Sequence, residues 1–286
     1  MSDSEHNDSS SAEPLPQVSI AEALRDGWFK SWYQPKIDLK RKCLAGAEAV
    51  MRIHHPELGP LLPGAFVPEI DEDSVTKLAE HALLATLSDW TMFEQASFNL
   101  HLAVNVPVRV LLKLPVEQLV KEQRPKSDRW PGLILEVTED QIVRDLAAAK
   151  EIAAQLRAGK VTIAIDNFGA GYSSFSSLRD LPFAELKLAG DFVKGCAVDA
   201  TNAAICQTAL DLAHRFGSFA VADGVESVAD LQAMMVMGCD FAQGSLIAPL
   251  LPREEFLNLL QQRNAPRPAT PADLIQSATN PVDRVA

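Results

Sequence analysis

Short apolar runs alternate with longer stretches of helical periodicity along most of the chain. The runs are rich in β-branched and aliphatic residues, and the stretches between them repeat apolar side chains every three or four positions. This alternation predicts repeated βα units around a parallel sheet. Candidate strands lie at 32–39, 46–52, 101–106, 133–137, 161–166, 185–188 and 218–222 and near Phe241, and candidate helices at 75–93, 143–158, 201–216 and 228–237.

The two ends of the chain differ in composition from its middle. Residues 1–17 are rich in Ser, Asp and Glu, and residues 264–286 contain prolines among small polar residues. Both compositions are typical of flexible tails, so we interpret them as a disordered acidic tail and a Pro-rich flexible tail. One domain at 18–263 is the simplest division, and about eight strands are enough to close an α/β barrel.

Nearly every predicted strand ends in, or just before, one polar or charged residue. These residues are Glu48, Asn105, Glu136, Asp166, Lys187, Asp223 and Gln243. In a parallel α/β barrel the C-terminal strand ends converge on one face, where active sites of this architecture are built. The sequence therefore predicts that all seven side chains meet in one cleft. The alternative is that each residue merely begins a polar loop. That explanation is adequate for any one of these residues but poor for all seven together.

The residue types in this set favour phosphodiester chemistry. Glu48, Asn105, Glu136 and Asp166 offer only oxygen ligands, which suit Mg²⁺, Mn²⁺ or Ca²⁺. Such an ion can polarise a phosphodiester and activate a bound water, and Lys187 can orient that water or neutralise developing charge. The loop at 166–174 carries two glycines that allow a ligand to approach the backbone, so this rim is a candidate site for a phosphorylated ligand.

Composition excludes several other classes of protein. The formal net charge is −12, which argues against a nucleic-acid binder. The four cysteines form no C-x-x-C pair, and the N-terminus has neither the positive charge nor the apolar run of a signal peptide. No apolar run reaches the length of a membrane span, so we expect a soluble cytoplasmic protein without membrane contact. His54 and His55 precede Pro56 and are interpreted as a polar turn.

Motifs in a fixed order give the chain from about residue 19 to 262 a family resemblance. They are Tyr33-Gln34-Pro35, Glu48-Ala49-Val50-Met51-Arg52, Val104-Asn105-Val106, Leu135-Glu136-Val137-Thr138-Glu139, the glycine loop beginning Ile165-Asp166-Asn167, Leu186-Lys187-Leu188, Ala222-Asp223-Gly224-Val225-Glu226 and Gln243-Gly244. Together they resemble the EAL domain, the family of cyclic di-GMP phosphodiesterases. The resemblance implies a modified TIM-type (βα)₈ barrel with one antiparallel strand, which dimerises in many members and uses Mg²⁺ or Mn²⁺ to cleave cyclic di-GMP to pGpG.

The resemblance also implies a role for each matching position. The first metal ion would be held by Glu48, Asn105, Glu136 and Asp166, while Lys187 would assist the attacking water. Catalysis, where present, would involve Glu48, Lys187 and Asp223. Substrate contacts would come from Gln34, Arg52 and Gln243, and Glu139 would brace the glycine loop that relays metal binding to the dimer interface.

Three departures from the family pattern fall on the side of the second metal ion. Asn167 stands where competent members have a second aspartate, Asp223 where they have glutamate, and Ala189 where they have aspartate. Asn167 lacks the negative charge, Asp223 is one methylene shorter, and Ala189 offers no oxygen. We therefore expect a degenerate site in which the first metal ion is better supported than the second.

Two functions remain open at this point. One is a weakly active or inactive regulator that binds cyclic di-GMP, a protein partner or both, as stand-alone degenerate members do when they control virulence, motility or biofilm genes. The absence of a recognisable sensor, GGDEF or receiver domain in the sequence agrees with it. The other is a metal-dependent phosphodiesterase that hydrolyses cyclic di-GMP to pGpG despite the departures. A barrel that serves only as a scaffold is a weaker third interpretation.

Overall fold

The computed structural model describes residues 18–61, 71–170, 178–179 and 181–264, and all structural statements below refer to these residues. The strands are β1 (Phe29–Asp38), β2 (Cys43–His55), β3 (Gly59–Leu61), β4 (His101–Asn105), β5 (Leu133–Thr138), β6 (Val161–Phe168), β7 (Glu185–Leu188), β8 (Phe219–Ala222), β9 (Phe241–Gln243) and β10 (Leu251–Pro252). The helices are α1 (Ile20–Arg25), α2 (Glu72–Gln95), α3 (Val108–Leu111), α4 (Val116–Gln123), α5 (Glu139–Arg144), α6 (Leu146–Leu156), α7 (Gly190–Val193), α8 (Ala200–Arg215), α9 (Val228–Met237) and α10 (Arg253–Asn264). The expected tails at 1–17 and 265–286 lie outside the described residues.

Eight of these strands close a barrel. The order around it is β1-β2-β4-β5-β6-β7-β8-β9, and β9 returns to β1. The pairs from β2 through β9 are parallel, whereas β1 runs antiparallel to both β2 and β9. Short strands β3 and β10 extend the sheet beside β2 and β1. The predicted barrel with one antiparallel strand is confirmed.

The polar side chains at several helix starts show how the sequence sets the helix boundaries. Asp71 accepts a hydrogen bond from the Ser74 backbone N–H before α2, and Ser227 accepts one from the Asp230 N–H before α9. Both residues satisfy backbone donors that the first helical turn leaves free. At its other end α9 stops at Gly238, whose φ of 88° favours glycine.

Apolar side chains fill the layer between the barrel and its helices, while the barrel interior also holds buried charged side chains such as Lys36, Glu136, Glu185 and Lys187. The large core contains Tyr33, Trp90 and Phe93, all nearly fully buried. A small separate cluster of Ala103, Ile134 and Ala164 joins β4, β5 and β6. Because side chains alternate along a strand, this cluster lies one interior layer below Asn105, Glu136 and Asp166.

The predicted single helix at 143–158 is wrong, since the chain forms two helices there. Asp145 separates α5 from α6 with φ −138° and ψ 57°, values outside the helical region. The apolar spacing hides this break because Ile142 in α5 and Ala149 in α6 are both buried at helix-like intervals. The pattern also missed α10, which ends at Asn264, one residue beyond the predicted domain boundary.

The placement of His54 and His55 in a turn is wrong, since both residues end strand β2 and pair with β3. Backbone N–H groups of Glu57 and Leu58 donate to the Nδ1 atom of His55, which therefore stabilises the turn that follows the strand. All four cysteines are free thiols. None of the helices in the described part of the chain is long and apolar enough to cross a membrane.

Candidate functional site

The barrel brings the predicted polar side chains together inside its C-terminal end. Glu48, Glu136, Asp166 and Lys187 lie within β2, β5, β6 and β7, Asn105 and Gln243 are the last residues of β4 and β9, and Asp223 directly follows β8. Parallel pairing sets neighbouring positions level, as for Asn105 beside Glu136. We call these seven side chains the acidic cleft.

Lys187 lies at the centre of the acidic cleft. Its Nζ donates to Glu136 Oε2 at 2.6 Å and to Glu48 Oε2 at 2.9 Å. The same nitrogen is 3.3 Å from Asp166 Oδ1 and 4.0 Å from Asp223 Oδ2. When all of these groups are ionised, four carboxylates surround one ammonium and the cluster carries a net charge of −3. The site therefore has more negative charge than its own cation can balance.

Glu48 is the most strongly hydrogen-bonded carboxylate of the cleft. Asn105 Nδ2 donates to its Oε1 at 2.6 Å, and Gln243 Nε2 donates to its Oε2 at 2.8 Å, in addition to Lys187. Burial favours the neutral acid, but the Lys187 charge and these hydrogen bonds outweigh it and lower the pKa of Glu48 to about 2. The structure therefore holds Glu48 as a carboxylate.

Glu136 and Lys187 respond to the same charges in different ways. Burial, and then the negative charge of Glu48, raise the pKa of Glu136 well above its usual range. Burial works to lower the pKa of Lys187, but the surrounding carboxylates, led by Glu136 and Glu48, outweigh it and raise that pKa well above its usual range. Lys187 is thus an ammonium at neutral pH, a donor and a positive charge rather than a base.

The three positions at which we expect departures from the family pattern lie in or directly after the neighbouring strands β6, β7 and β8. Asn167 has a φ of 55°, and its Nδ2 lies 3.4 Å from Asp166 Oδ2. Asp223 Oδ1 accepts hydrogen bonds from Gln243 Nε2 at 2.9 Å and from the Gly224 N–H at 2.7 Å. Ala189 is buried. These three positions therefore present an amide, an already bonded carboxylate and a methyl group.

The expected substrate contacts occupy the antiparallel side of the barrel. Gln34 on β1 is paired directly with Glu48 on β2, and its Nε2 donates to the Ala248 carbonyl at 2.8 Å. Arg52 is half-buried, and burial lowers the pKa of its guanidinium. Within the described chain, Arg52 Nη1 and Gln243 Oε1 are buried without a hydrogen-bond partner. Both atoms are free to bind a ligand.

Glu139 lies where a brace for the glycine loop is expected. It is buried at the start of α5, and its Oε2 accepts a hydrogen bond from the Gly169 N–H at 2.9 Å. The rest of the glycine motif, residues 171–174, lies outside the described residues. Any role of Glu139 in signalling from the metal site stays a prediction.

Two interior charged residues were missed by the sequence reasoning. Lys36 on β1 and Glu185 on β7 form a buried ion pair inside the barrel. The signal was present, because Lys36 follows Gln34 by two residues and Glu185 precedes Lys187 by two. A period of two places each pair on the same strand face.

Taken together, the fold and the cleft define a class of protein: an α/β barrel with one antiparallel strand and an oxygen-rich acidic site at its C-terminal end. The comparisons with known proteins narrow that class to a family. The family model described as the EAL domain matches residues 17–250, and the chain belongs to this family.

Relatives named as cyclic di-GMP phosphodiesterases match most of this chain over only part of their own length. Cyclic di-GMP phosphodiesterase PA2567 of Pseudomonas aeruginosa is 34% identical over 255 residues, which are 84% of this chain and 41% of that protein. Cyclic di-GMP phosphodiesterase RocR of the same organism is 31% identical over 247 residues, 85% of this chain and 63% of that protein. The chain thus spans less than two thirds of either relative.

Solved structures show the same architecture. A structure described as the PaMucR phosphodiesterase in complex with c-di-GMP superposes with a TM-score of 0.75 at 30% identity, covering 83% of this chain and 97% of that one. The Xanthomonas citri FimX EAL domain in complex with c-di-GMP gives a TM-score of 0.73 at 23% identity, covering 82% and 93%. The second likeness shows the fold alone.

Proposed function

We propose that this EAL domain binds cyclic di-GMP in the acidic cleft and acts mainly as a regulator, with weak or no hydrolysis. The observation that carries the proposal is the contrast within the cleft. Glu48, Asn105, Glu136, Asp166 and Lys187 are assembled, whereas Asn167 and Ala189 offer no carboxylate for a second metal ion. The binding part of the proposal is also supported by relatives named as cyclic di-GMP phosphodiesterases.

The ligand would bind across the cleft through atoms that the protein leaves unpaired. Arg52 supplies a buried guanidinium nitrogen without a partner, a donor suited to a phosphate oxygen. Gln243 supplies a buried carbonyl oxygen, which suits an N–H or O–H donor on the ligand. Gln34 reaches the same region, and its amide would exchange its bond to the Ala248 carbonyl for one to the dinucleotide.

The donor set also fits a divalent cation. Four carboxylates face a single ammonium, and Asp166 Oδ1 is buried without a hydrogen bond in the described structure. The described residues contain no preformed cluster of three His, Cys, Asp or Glu side chains in metal-binding geometry. The Lys187 ammonium lies among the carboxylates, so we expect a cation to compete with it.

Glu48, Asn105, Glu136 and Asp166 would hold Mg²⁺ or Mn²⁺, which supplies Lewis-acid polarisation of a phosphodiester when bound. Lys187 would keep its proton, and its ammonium would donate hydrogen bonds to a negatively charged oxygen or to a water molecule. Asp223, bonded to Gln243 and the Gly224 N–H, would support a second ion poorly. One cation rather than two is therefore expected, and misplacing the reacting groups of a two-ion reaction costs at least about 10²-fold in rate.

The alternative function is an active Mg²⁺- or Mn²⁺-dependent phosphodiesterase that produces pGpG. The assembled Glu48, Asn105, Glu136, Asp166 and Lys187 favour it, as do the relatives named for this activity. On this alternative, Asn167 would offer its carbonyl oxygen and Asp223 would act through a water.

A turnover assay with matched variants separates the two functions. Purified protein is incubated with cyclic di-GMP and Mg²⁺ or Mn²⁺, and pGpG is followed by chromatography. We expect little product from the wild type and at least about a 10²-fold increase from Asn167→Asp, Ala189→Asp, Asp223→Glu combined. Rapid wild-type turnover that Glu48→Ala abolishes would overturn the regulator proposal and establish the alternative.

Binding tests the proposal independently of turnover. Calorimetry with cyclic di-GMP and Ca²⁺ should show micromolar or tighter binding by the wild type and its loss in Arg52→Ala. Absence of wild-type binding would overturn both functions and leave a scaffold. A regulator without turnover needs an output, which we propose to be contact with a protein partner or a second copy of the chain; light scattering with and without cyclic di-GMP tests the second copy.

A further inference from the structure

A buried ion pair crosses the interior of the barrel close to the acidic cleft. Lys36 Nζ on β1 lies 2.7 and 2.6 Å from the two carboxylate oxygens of Glu185 on β7. The two side chains are only 3% and 6% exposed. Within the barrel β1 is bonded to β2 and β9, and β7 to β6 and β8, so the pair joins strands that are not neighbours.

The pair lies on the same strand faces as two residues of the functional site. Side chains two positions apart on a strand face the same side. Lys36 therefore shares the interior face of β1 with Gln34, and Glu185 shares that of β7 with Lys187. Lys36 is also paired directly with Gln243 of β9. The ion pair thus links the strand carrying Gln34 to the strand carrying Lys187.

The ladder between β1 and β2 is irregular at this point. Its register shifts between Lys36 and Ile37. Ala45 of β2 is the residue left without a partner, and such a bulge bends the strand that carries it. A slip of one residue would turn the interior face of β1 outward, and Gln34 with it. Lys36 lies beside the irregularity and is the residue that Glu185 holds.

Stability alone does not account for the pair. Taking two charges out of water is costly, and replacing a buried pair by apolar groups of similar volume is often neutral or stabilising. The pair is also balanced, one ammonium bonded to one carboxylate, unlike the acidic cleft with its excess of carboxylates. A balanced pair between distant strands fixes their relative position without attracting a further cation.

We propose that Lys36 and Glu185 are positioning residues: their ion pair fixes the register of β1 and thereby places Gln34 for the dinucleotide. The part concerning Gln34 rests on the proposed function, whereas the register of β1 is a property of the protein alone. The two parts are therefore tested by different measurements.

The first test uses amide hydrogen exchange followed by mass spectrometry. The combined variant Lys36→Met, Glu185→Leu removes both charges and keeps similar volumes, so we expect its urea midpoint to equal or exceed that of the wild type. Exchange in the segment 29–38 should nevertheless become at least about tenfold faster, while exchange in 161–168 stays the same. Lys40→Met is the control, because Lys40 bonds Asp240 at 2.6 Å from a mostly exposed position.

The second test is a double-mutant cycle on cyclic di-GMP binding, measured by calorimetry. The charge-free pair should weaken binding about tenfold, which is the effect of roughly one hydrogen bond. In a Gln34→Ala background the same changes should cause no further loss, because the residue they position is already absent. Equal losses in both backgrounds would show a merely structural role and overturn the proposal.

Hydrogen exchange tests the register of β1, and cyclic di-GMP binding tests the proposed function, so each can fail without the other. Unchanged exchange in the segment 29–38 of the charge-free variant would overturn the register claim whether or not the protein binds cyclic di-GMP. A wild type that binds no cyclic di-GMP would overturn the proposed function and the role given to Gln34, and the exchange result would still decide the register of β1. The single variant Lys36→Met leaves Glu185 buried without a cation, and we expect it to fold poorly.

Discussion

Two carboxylates of the acidic cleft should respond in opposite ways when their charge is removed. Glu48 accepts hydrogen bonds from Asn105, Lys187 and Gln243. Lys187 is the described donor to Glu136, which also faces the charges of Glu48 and Asp166. We expect Glu48→Gln to destabilise the metal-free protein and Glu136→Gln to leave its stability unchanged or raise it.

The magnitude for Glu48 follows from its pKa. A fall from 4.5 to about 2 corresponds to about 3 kcal/mol of folding free energy at neutral pH. Because the pKa is lower in the folded state, this contribution is complete above about pH 4.5 and is lost as the pH falls towards 2. Burial first, and then the charge of Glu48, raise the pKa of Glu136, so its ionisation instead reduces stability as the pH rises above 4.5.

Urea denaturation in EDTA measures both effects. At pH 7 the free energy of unfolding should fall by about 3 kcal/mol in Glu48→Gln. In Glu136→Gln it should stay the same or rise. Repeating the titration near pH 3 should shrink the deficit of Glu48→Gln. Glu117→Gln, an exposed position on α4, is the matched control and should change stability by less than about 0.5 kcal/mol.

Equal losses in the two variants would refute this reasoning, since they would mean that each carboxylate is stabilised to the same degree. A larger loss for Glu136→Gln would refute it more directly. It would show that the Lys187–Glu136 contact of 2.6 Å outweighs the repulsion among the carboxylates.

Three further predictions concern substitutions of single residues. Arg52→Ala should weaken cyclic di-GMP binding at least about tenfold in calorimetry without lowering the urea midpoint, because Arg52 Nη1 has no partner among the described residues; unchanged affinity would contradict it. Gly244→Ala should cost about 3 kcal/mol or more in urea denaturation, since a Cβ there would lie 2.3 Å from Val225 N at a φ of 147°; an unchanged midpoint would contradict it. In Lys187→Met the free energy of unfolding, measured by urea denaturation, should be about 3–5 kcal/mol lower than in the wild type in EDTA, and Mn²⁺ should restore part of it. A free energy of unfolding that Mn²⁺ does not raise would contradict the metal site.

The barrel and the meeting of the cleft residues were accessible from the sequence because both follow from a local rule. Apolar runs separated by helical stretches predict parallel strands, and parallel strands deliver their C-terminal residues to one place. Asn105, Glu136 and Asp166 lie at or within two residues of the ends of β4, β5 and β6, so their convergence required no knowledge of side-chain conformation.

The features that the sequence did not reveal depend on long-range geometry. The break at Asp145 is invisible to apolar spacing, since the buried positions continue in phase through it. The pairing of Lys36 with Glu185 depends on closure of the barrel, which brings together residues 149 positions apart. The hydrogen bond from Gln34 to Ala248 depends on where the chain passes after β9.

The Lys36–Glu185 pair and the acidic cleft, both in the barrel interior, differ in charge balance. Lys36 and Glu185 neutralise each other, so their pair can fix strand positions without requiring anything from solvent. The acidic cleft, one layer above the apolar Ala103–Ile134–Ala164 cluster, keeps more carboxylates than cations, and ionisation of Glu136 among them reduces the stability of the metal-free fold. A bound cation would relieve that repulsion, so binding at this site stabilises the fold by mass action. On the proposed regulator function, the amide of Asn167 and the methyl group of Ala189 add no further negative charge to the cleft, so the metal-free fold avoids that additional repulsion.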